Sequence, residues 1–180
     1  SNLSPGTYTV TATDANNCTQ TESTSITQPN AINLTTTSTN IVCNGDNNGT
    51  ATVFGSGGGG GFSYAWSNGL SGQTISNLPG GTYTVTATDA NNCIEVQSVN
   101  VIEPSAITVN IIPTNISCNG SNDASATAMG NGGTGGFTYT WSNGISGATI
   151  SNLAVGTYTV TVVDGNNCIQ TQMVSFTEPS

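Results

Sequence analysis

Lysine, arginine and histidine are all absent from this chain of 180 residues. Nothing cationic opposes its nine carboxylates, so the net charge at neutral pH is -9. Recognition of a phosphate backbone needs cationic side chains, which excludes nucleic acid as a partner. Docking on anionic lipid heads is excluded for the same reason. No ion pair to a side-chain cation can form, and trypsin has nowhere to cut. With no His or Lys as a base, catalysis would rest on scattered Asp and Glu. No carboxylate pair is placed for acid–base work, so an enzyme is not expected. No apolar run approaches the ~20 residues of a membrane span, so membrane insertion is not expected either. Helix formers at helical spacing are also missing.

What is present is repetition. Ser1-Asn2-Leu3 recurs as Ser76-Asn77-Leu78 and as Ser151-Asn152-Leu153. Gly6 to Val10 recurs at Gly81 to Val85 and at Gly156 to Val160. Cys18, Cys93 and Cys168 keep the same step of 75, as do Cys43 and Cys118, and Pro29, Pro104 and Pro179. A fixed period of this length means one small structural unit copied along a chain. Two full units are expected, 31–105 and 106–180. Residues 1–30 match only the closing part of a unit. They carry its closing Cys and Pro but no opening Cys, so the chain is expected to be a window on a longer protein.

Thr, Val, Ile and Tyr dominate the ordered runs, and Gly, Asn, Ser and Pro separate them, which predicts an all-β fold. Phe62-Ser-Tyr64-Ala-Trp66 alternates, as does Phe137-Thr-Tyr139-Thr-Trp141. Each run puts three aromatics on one face, and core packing is favoured over a sugar-stacking platform. Thr82 to Thr88 alternates again, with Tyr83, Val85 and Ala87 inward; Tyr158 is the equivalent of Tyr83. Asn68-Gly69 predicts a tight turn. The last strand, Cys93 to Ile102, loses its apolar phase between Val96 and Val99. The next unit loses it between Met173 and Val174, and both slips predict a β-bulge. Short strands at this spacing predict tandem immunoglobulin-like β-sandwich repeats, one sandwich to each period.

A unit this small buries only about 60% of its unfolded surface, so a covalent staple would help it. Cys43, Cys93, Cys118 and Cys168 supply two cysteines per unit. With no Cys-x-x-Cys and no His, they read as disulfide partners, not metal ligands or catalytic thiols, and they imply an oxidising, extracellular setting. Two pairings stay open. Sequence order favours Cys43–Cys93 and Cys118–Cys168, each within a unit. In an immunoglobulin-like topology, however, the start of the second strand and the last hairpin lie at opposite ends of the sandwich. Cys43 would then meet Cys168 of the following unit. A Ca²⁺ ion is the one cofactor to consider. The loop Asn44 to Gly49, with Asp46, is oxygen-rich but lacks the distal bidentate Glu of a Ca²⁺ loop. Asp89 and Asp164 recur at the last hairpin. An ordinary Asx turn is the plainer reading of all three.

Taken together, Phe-x-Tyr-x-Trp-Ser-Asn-Gly, Ser-Asn-Leu-x-x-Gly-Thr-Tyr-Thr-Val-Thr and Asp-x-Asn-Asn-Cys resemble the SprB repeat, a family found in very large cell-surface adhesins of Bacteroidota. A looser likeness is to polycystic-kidney-disease-type (PKD-like) sandwich domains. The resemblance spans both full units and the leading fragment. It implies export by the type 9 pathway, a place on the outer surface, roles in attachment and gliding motility, and no catalytic residues. The run Gly57 to Gly61 departs from the Gly-Gly-x-x-Pro-Tyr more often found in the family. The function expected is a stalk or filament repeat of a surface adhesin, with neighbouring repeats of the same chain as partners. One alternative is a module that binds carbohydrate or another surface directly. Another is a fibre subunit in which identical chains pack side by side.

Overall fold

Threonine, valine and isoleucine carry two heavy atoms on Cβ, which favours extended backbone. The computed structural model describes residues 2–179. Ser1 and Ser180, at the outer ends of the first and third sequence segments, lie outside the described residues. Every regular element among the described residues is a strand. In residues 1–30, β1 (Gly6–Thr13) and β2 (Thr19–Ile26) form one antiparallel hairpin. The second segment holds β3 (Asn33–Thr39), β4 (Gly49–Ser56), β5 (Ser63–Trp66), β6 (Thr74–Leu78), β7 (Gly81–Thr88) and β8 (Ile94–Val101). The third holds β9 (Thr108–Thr114), β10 (Ala124–Asn131), β11 (Thr138–Trp141), β12 (Thr149–Leu153), β13 (Gly156–Val163) and β14 (Ile169–Phe176).

Each strand of the third segment starts and ends exactly one period after its counterpart in the second. Sheet order repeats as well: β3-β4-β6 with β5-β7-β8, then β9-β10-β12 with β11-β13-β14. Two three-stranded sheets per segment make an immunoglobulin-like sandwich, and the fold is a tandem of such sandwiches.

Contacts divide the chain into two compact units. The larger comprises Thr36–Thr52, Thr74–Tyr83 and Ser98–Ser180. Its core gathers Ile116, Trp141, Ile150, Leu153, Val160, Val162 and Phe176 against three alanines of β10. Those alanines, Ala124, Ala126 and Ala128, leave the volume to Trp141 and Phe176, two of the largest fully buried side chains. Ile41, Ala51, Ile75, Leu78, Tyr83 and Val101 are also buried in this unit. Gly49 permits close passage of the chain: a Cβ there would lie 2.6 Å from Val101 Cγ1 and 2.9 Å from the Leu78 carbonyl oxygen.

The bulge expected between Met173 and Val174 is not found. β13 and β14 pair without a shift from Gly156↔Phe176 to Val163↔Ile169. Register shifts lie instead at Gly49/Thr50 between β4 and β6, and at Ala124/Ala126 between β10 and β12. The apolar phase slips because β14 presents apolar groups to both faces. Val174 and Phe176 turn inward, while Ile169 and Met173 stand outward at 65% and 66% exposure. Single exposed apolar side chains are ordinary on a protein surface, so a pattern of apolar positions misreports the pairing here.

The smaller unit comprises Ser1–Thr35, Val53–Gln73 and Thr84–Gln97. It contains the β1–β2 hairpin, whose side chains are exposed except for half-buried Tyr8 and Ile26. Leu34, Val53, Trp66, Val85 and Ala87 are buried. The Asn68-Gly69 turn takes φ 84° at Gly69, whose N–H donates to the Trp66 carbonyl at 2.9 Å. The run Gly57 to Gly61 is pinned. Gly58 N–H donates to the Asn30 carbonyl at 2.8 Å, and Ala90 N–H donates to the Gly60 carbonyl at 3.0 Å. Gly57 has φ 80°, and a Cβ there would lie 2.1 Å from the Ala31 carbonyl oxygen.

Candidate functional site

The hairpin that closes each unit is built around one aspartate. Asp164 follows the end of β13 and is 5% exposed. Its Oδ1 accepts from the N–H groups of Asn166 at 2.8 Å and Cys168 at 2.9 Å. Its Oδ2 accepts from Thr134 N–H at 2.8 Å. The Asx turn needs a left-handed residue, and Asn167 takes it at φ 64°, a conformation asparagine tolerates. Cys168 is thereby held at the start of β14. Asp89 repeats the arrangement, with Asn91 and Cys93 on Oδ1, both at 2.8 Å, and Gly59 on Oδ2 at 2.7 Å. Asp14 keeps the first two bonds, to Asn16 and Cys18, at 2.8 and 2.9 Å.

These bonds set the charge state. At Asp89 the Gly59 N–H is the largest influence and, with those of Cys93 and Asn91, holds the carboxyl below its ordinary value against the opposing effect of burial. At Asp164 burial is the largest single influence and pushes upward. The Thr134, Cys168 and Asn166 N–H groups together outweigh it, so this carboxyl too sits below its ordinary value.

Cys43 is presented by the loop that follows β3. Asp46 N–H donates to the Cys43 carbonyl at 3.1 Å, and Gly45 supplies φ 86°. Glu103, at the far end of the same segment, clamps this loop. Its Oε1 accepts from Gly45 N–H at 2.6 Å and Asn44 Nδ2 at 3.2 Å, while Asn44 Nδ2 also donates to the Pro104 carbonyl at 3.0 Å. The loop then meets the Asp164 hairpin. Asn166 Nδ2 donates to the Val42 carbonyl at 3.3 Å, and Cys43 and Cys168 are joined by a disulfide with their Cα atoms 5.5 Å apart. Asn44, Pro104, Ser105 and Asp164 line the cleft around the bridge.

This bridge settles the pairing that was left open, and against the choice favoured by sequence order. Cys118 is exposed and free, as are Cys93 and Cys18. Cys118 lies six residues before Ala124, which pairs with Leu153 close to the start of β13. Cys168 lies just beyond the other end of β13. Eight strand residues at ~3.3 Å each separate those ends by about 25 Å, whereas a disulfide needs Cα atoms within about 7 Å.

The candidate Ca²⁺ residues are not gathered. Among the described residues no three His, Cys, Asp or Glu side chains form a metal-holding group. Asp46 accepts a 3.3 Å bond from Asn48 Nδ2, and the oxygens of Asp89 and Asp164 point at N–H donors, as described above. In the third segment Ser121 replaces Asp46. Asp123, one period after Asn48, accepts from both the N–H and Oγ of Ser117, which lowers its pKa. Among the aromatics, Trp66, Trp141 and Tyr83 are buried, while Phe62, Tyr64, Phe137, Tyr139 and Tyr158 are half-buried. Trp66 and Trp141 donate Nε1–H to the carbonyls of Gly72 and Gly147 at 2.9 and 3.0 Å. Tyr64 and Tyr139 hydroxyls accept from Gly55 and Gly130 N–H. Tyr8, Tyr83 and Tyr158 donate to carbonyls four residues upstream, the corner arrangement of immunoglobulin-like strands. Sequence reading passed over Glu103. Its recurrence as Glu178 one period later was the available signal.

The SprB repeat family model matches the chain twice, at residues 35–71 and 110–145. Each match contains an opening cysteine and an aromatic strand, and each stops short of the closing hairpin. No curated protein sequence matches. Among solved structures, the N-terminal eight Ig domains of Down Syndrome Cell Adhesion Molecule align over 98% of the chain at 13% identity and a TM-score of 0.51. The chain spans 28% of the length of that structure, and the likeness is one of fold. The C-terminal 282-residue fragment of intimin, solved in complex with the intimin-binding domain of the translocated intimin receptor, aligns over 83% of the chain and 64% of its own length, at 15% identity and a TM-score of 0.41.

Proposed function

We propose that this chain, with its two SprB-repeat matches, is a length of stalk in a long cell-surface adhesin, holding an adhesive tip away from the cell. One observation carries the reading. The only cysteine bridge among the described residues joins successive copies of the repeat, at a sequence separation of 125. Such a bond serves the array more than the single sandwich. The site is a joint: one covalent bond flanked by carboxylates already occupied by backbone N–H groups, with no base beside a nucleophile. It offers mechanical continuity and no route to catalysis. The family match supports a place on the outer surface, export by the type 9 pathway, and a part in attachment or gliding. The disulfide fits an oxidising compartment.

Antibodies to the chain should label intact cells, and electron microscopy of the full-length protein should show a beaded rod. A compact globule would overturn the stalk. A second reading, lateral assembly of identical chains, has its own support. Ile169 and Met173 stand exposed on the outer face of β14, an edge strand carrying little charge. Association that grows with concentration and is lost in Met173→Asp would favour it.

A further inference from the structure

We propose that Cys93 and Cys118 are halves of the same staple, closed by units that flank this chain in a longer array. Such an array is then covalently continuous and nearly inextensible. The inference rests on the bridge and the period, and it stands whether or not the array belongs to an adhesin.

Each free cysteine is already presented as its bonded counterpart is. Cys118 stands one period after Cys43 in the same loop. Ser121 N–H donates to the Cys118 carbonyl at 3.0 Å, as Asp46 N–H does to Cys43 at 3.1 Å. Gly120 takes φ 77° where Gly45 takes 86°. Asp123 receives the N–H of Ser117 as Asn48 receives that of Val42. Cys93 stands one period before Cys168, in the Asp89 cradle that matches the Asp164 cradle bond for bond. Around Cys93 lies a cleft lined by Pro29, Ile32, Gly58 and Asp89. Around Cys168 the equivalent cleft is lined by Ile107, Gly133, Pro104 and Asp164, and it holds Cys43 and Asn44. The occupant that fits the Cys93 cleft is therefore a Cys-Asn loop from a preceding unit. Cys118 offers the same loop to a following one.

Closure balances as thiol–disulfide exchange. The Cys118 thiolate attacks an oxidant of the disulfide class and releases one thiol. The facing cysteine thiolate then attacks Cys118 Sγ and releases the second. Two cysteine thiols are oxidised and one disulfide is reduced.

Repeated along an array, the staples redirect tension. From a closing cysteine to the next opening one is a third of a period, as from Cys18 to Cys43 or Cys93 to Cys118. The bridge then bypasses 125 residues. Each load path carries only that third in every two periods, and two such paths interleave. Of each sandwich only its first and last strands lie on a path, as β8 and β9 do between Cys93 and Cys118.

The test appends one more copy of residues 106–180 after Ser180 of the full chain, with Ile112→Val and Met173→Leu in the appended copy as mass tags at exposed positions of its two cysteine peptides. After oxidation and thiol blocking, the product is cut at Glu and aromatic residues and mapped by mass under non-reducing conditions. Cys118 should be joined to the closing cysteine of the appended copy, with Cys43–Cys168 intact. Recovery of Cys118 as a blocked free thiol, while tryptophan emission shows the appended copy folded, would overturn the proposal. In a companion Cys118→Ser variant the closing cysteine of the appended copy must become free to label. If it remains bonded, the assignment is wrong.

Discussion

Pulled from its two ends in an optical trap, the oxidised chain should withhold 125 residues from the applied force, because Cys43 and Cys168 close a loop of that length. A residue extends by at most ~3.3–3.6 Å, so the hidden contour is about 430 Å. The 5.5 Å spanned by the bridge itself is negligible beside it. Reductant, or Cys43→Ser, should lengthen the fully stretched chain by that amount in one step. Pairing within units would hide two shorter loops instead, about 340 Å released in two steps. Cys93→Ser and Cys118→Ser separate the cases, since neither should alter the stretched length. The same loop closure contributes about 5 kcal/mol on the chain-entropy model, so reduction should also lower the melting temperature. Equal stretched lengths with and without reductant would refute the reasoning, and a gain of about 170 Å from Cys93→Ser would restore the in-unit bridge.

Four further outcomes can be measured. Asp89, Asp123 and Asp164 have pKa values below the ordinary 3.8. Each therefore contributes stability that is fully present above that value and is lost as pH falls through the lower folded one. Urea midpoints should be flat from pH 7 to 5 and drop below about 4, with no step near pH 6.5, where His would titrate; a midpoint that rises on acidification would contradict this. Asp164→Asn keeps one oxygen for Asn166 and Cys168 but turns an amide nitrogen, which cannot accept, toward Thr134 N–H, so it should lower the melting temperature more than Asp14→Asn, whose single oxygen can still take both bonds at an exposed turn. Trp141→Ala should cost about 3–5 kcal/mol in denaturant unfolding, and acrylamide should quench the wild-type emission weakly, since both tryptophans are buried. Gly57→Ala should destabilise strongly, because its Cβ would lie 2.1 Å from the Ala31 carbonyl oxygen. Gly60→Ala, at φ 72° with open space around it, should cost only about 1 kcal/mol.

Local chemistry was readable wherever it was self-contained. The aromatic strands, the Asn68-Gly69 turn and the Asp-x-Asn-Asn turns are decided by neighbours a few residues apart, and their sequence patterns name them. The last strand was misread because apolar position was taken for inward direction. Ile169 and Met173 face solvent, and the regular β13–β14 ladder runs past them without a bulge. Asp89 and Asp164 were visible as recurring carboxylates. Their third donors, Gly59 and Thr134, lie 30 residues away and belong to no local motif. Glu103 escaped notice because its partners, Asn44 and Gly45, are most of a period distant.

The order of residues alone determined that the chain is an all-β tandem with one fixed period, since alternation, turn dipeptides and repetition are properties of neighbouring positions. It also determined the absence of cationic chemistry. Which cysteines bond was decided only in three dimensions. Sequence distance favours the shorter loop, but a disulfide forms between the ends that topology brings within reach. A strand of eight residues keeps Cys118 and Cys168 apart, while the approach of one copy's opening loop to the next copy's closing hairpin brings Cys43 and Cys168 together.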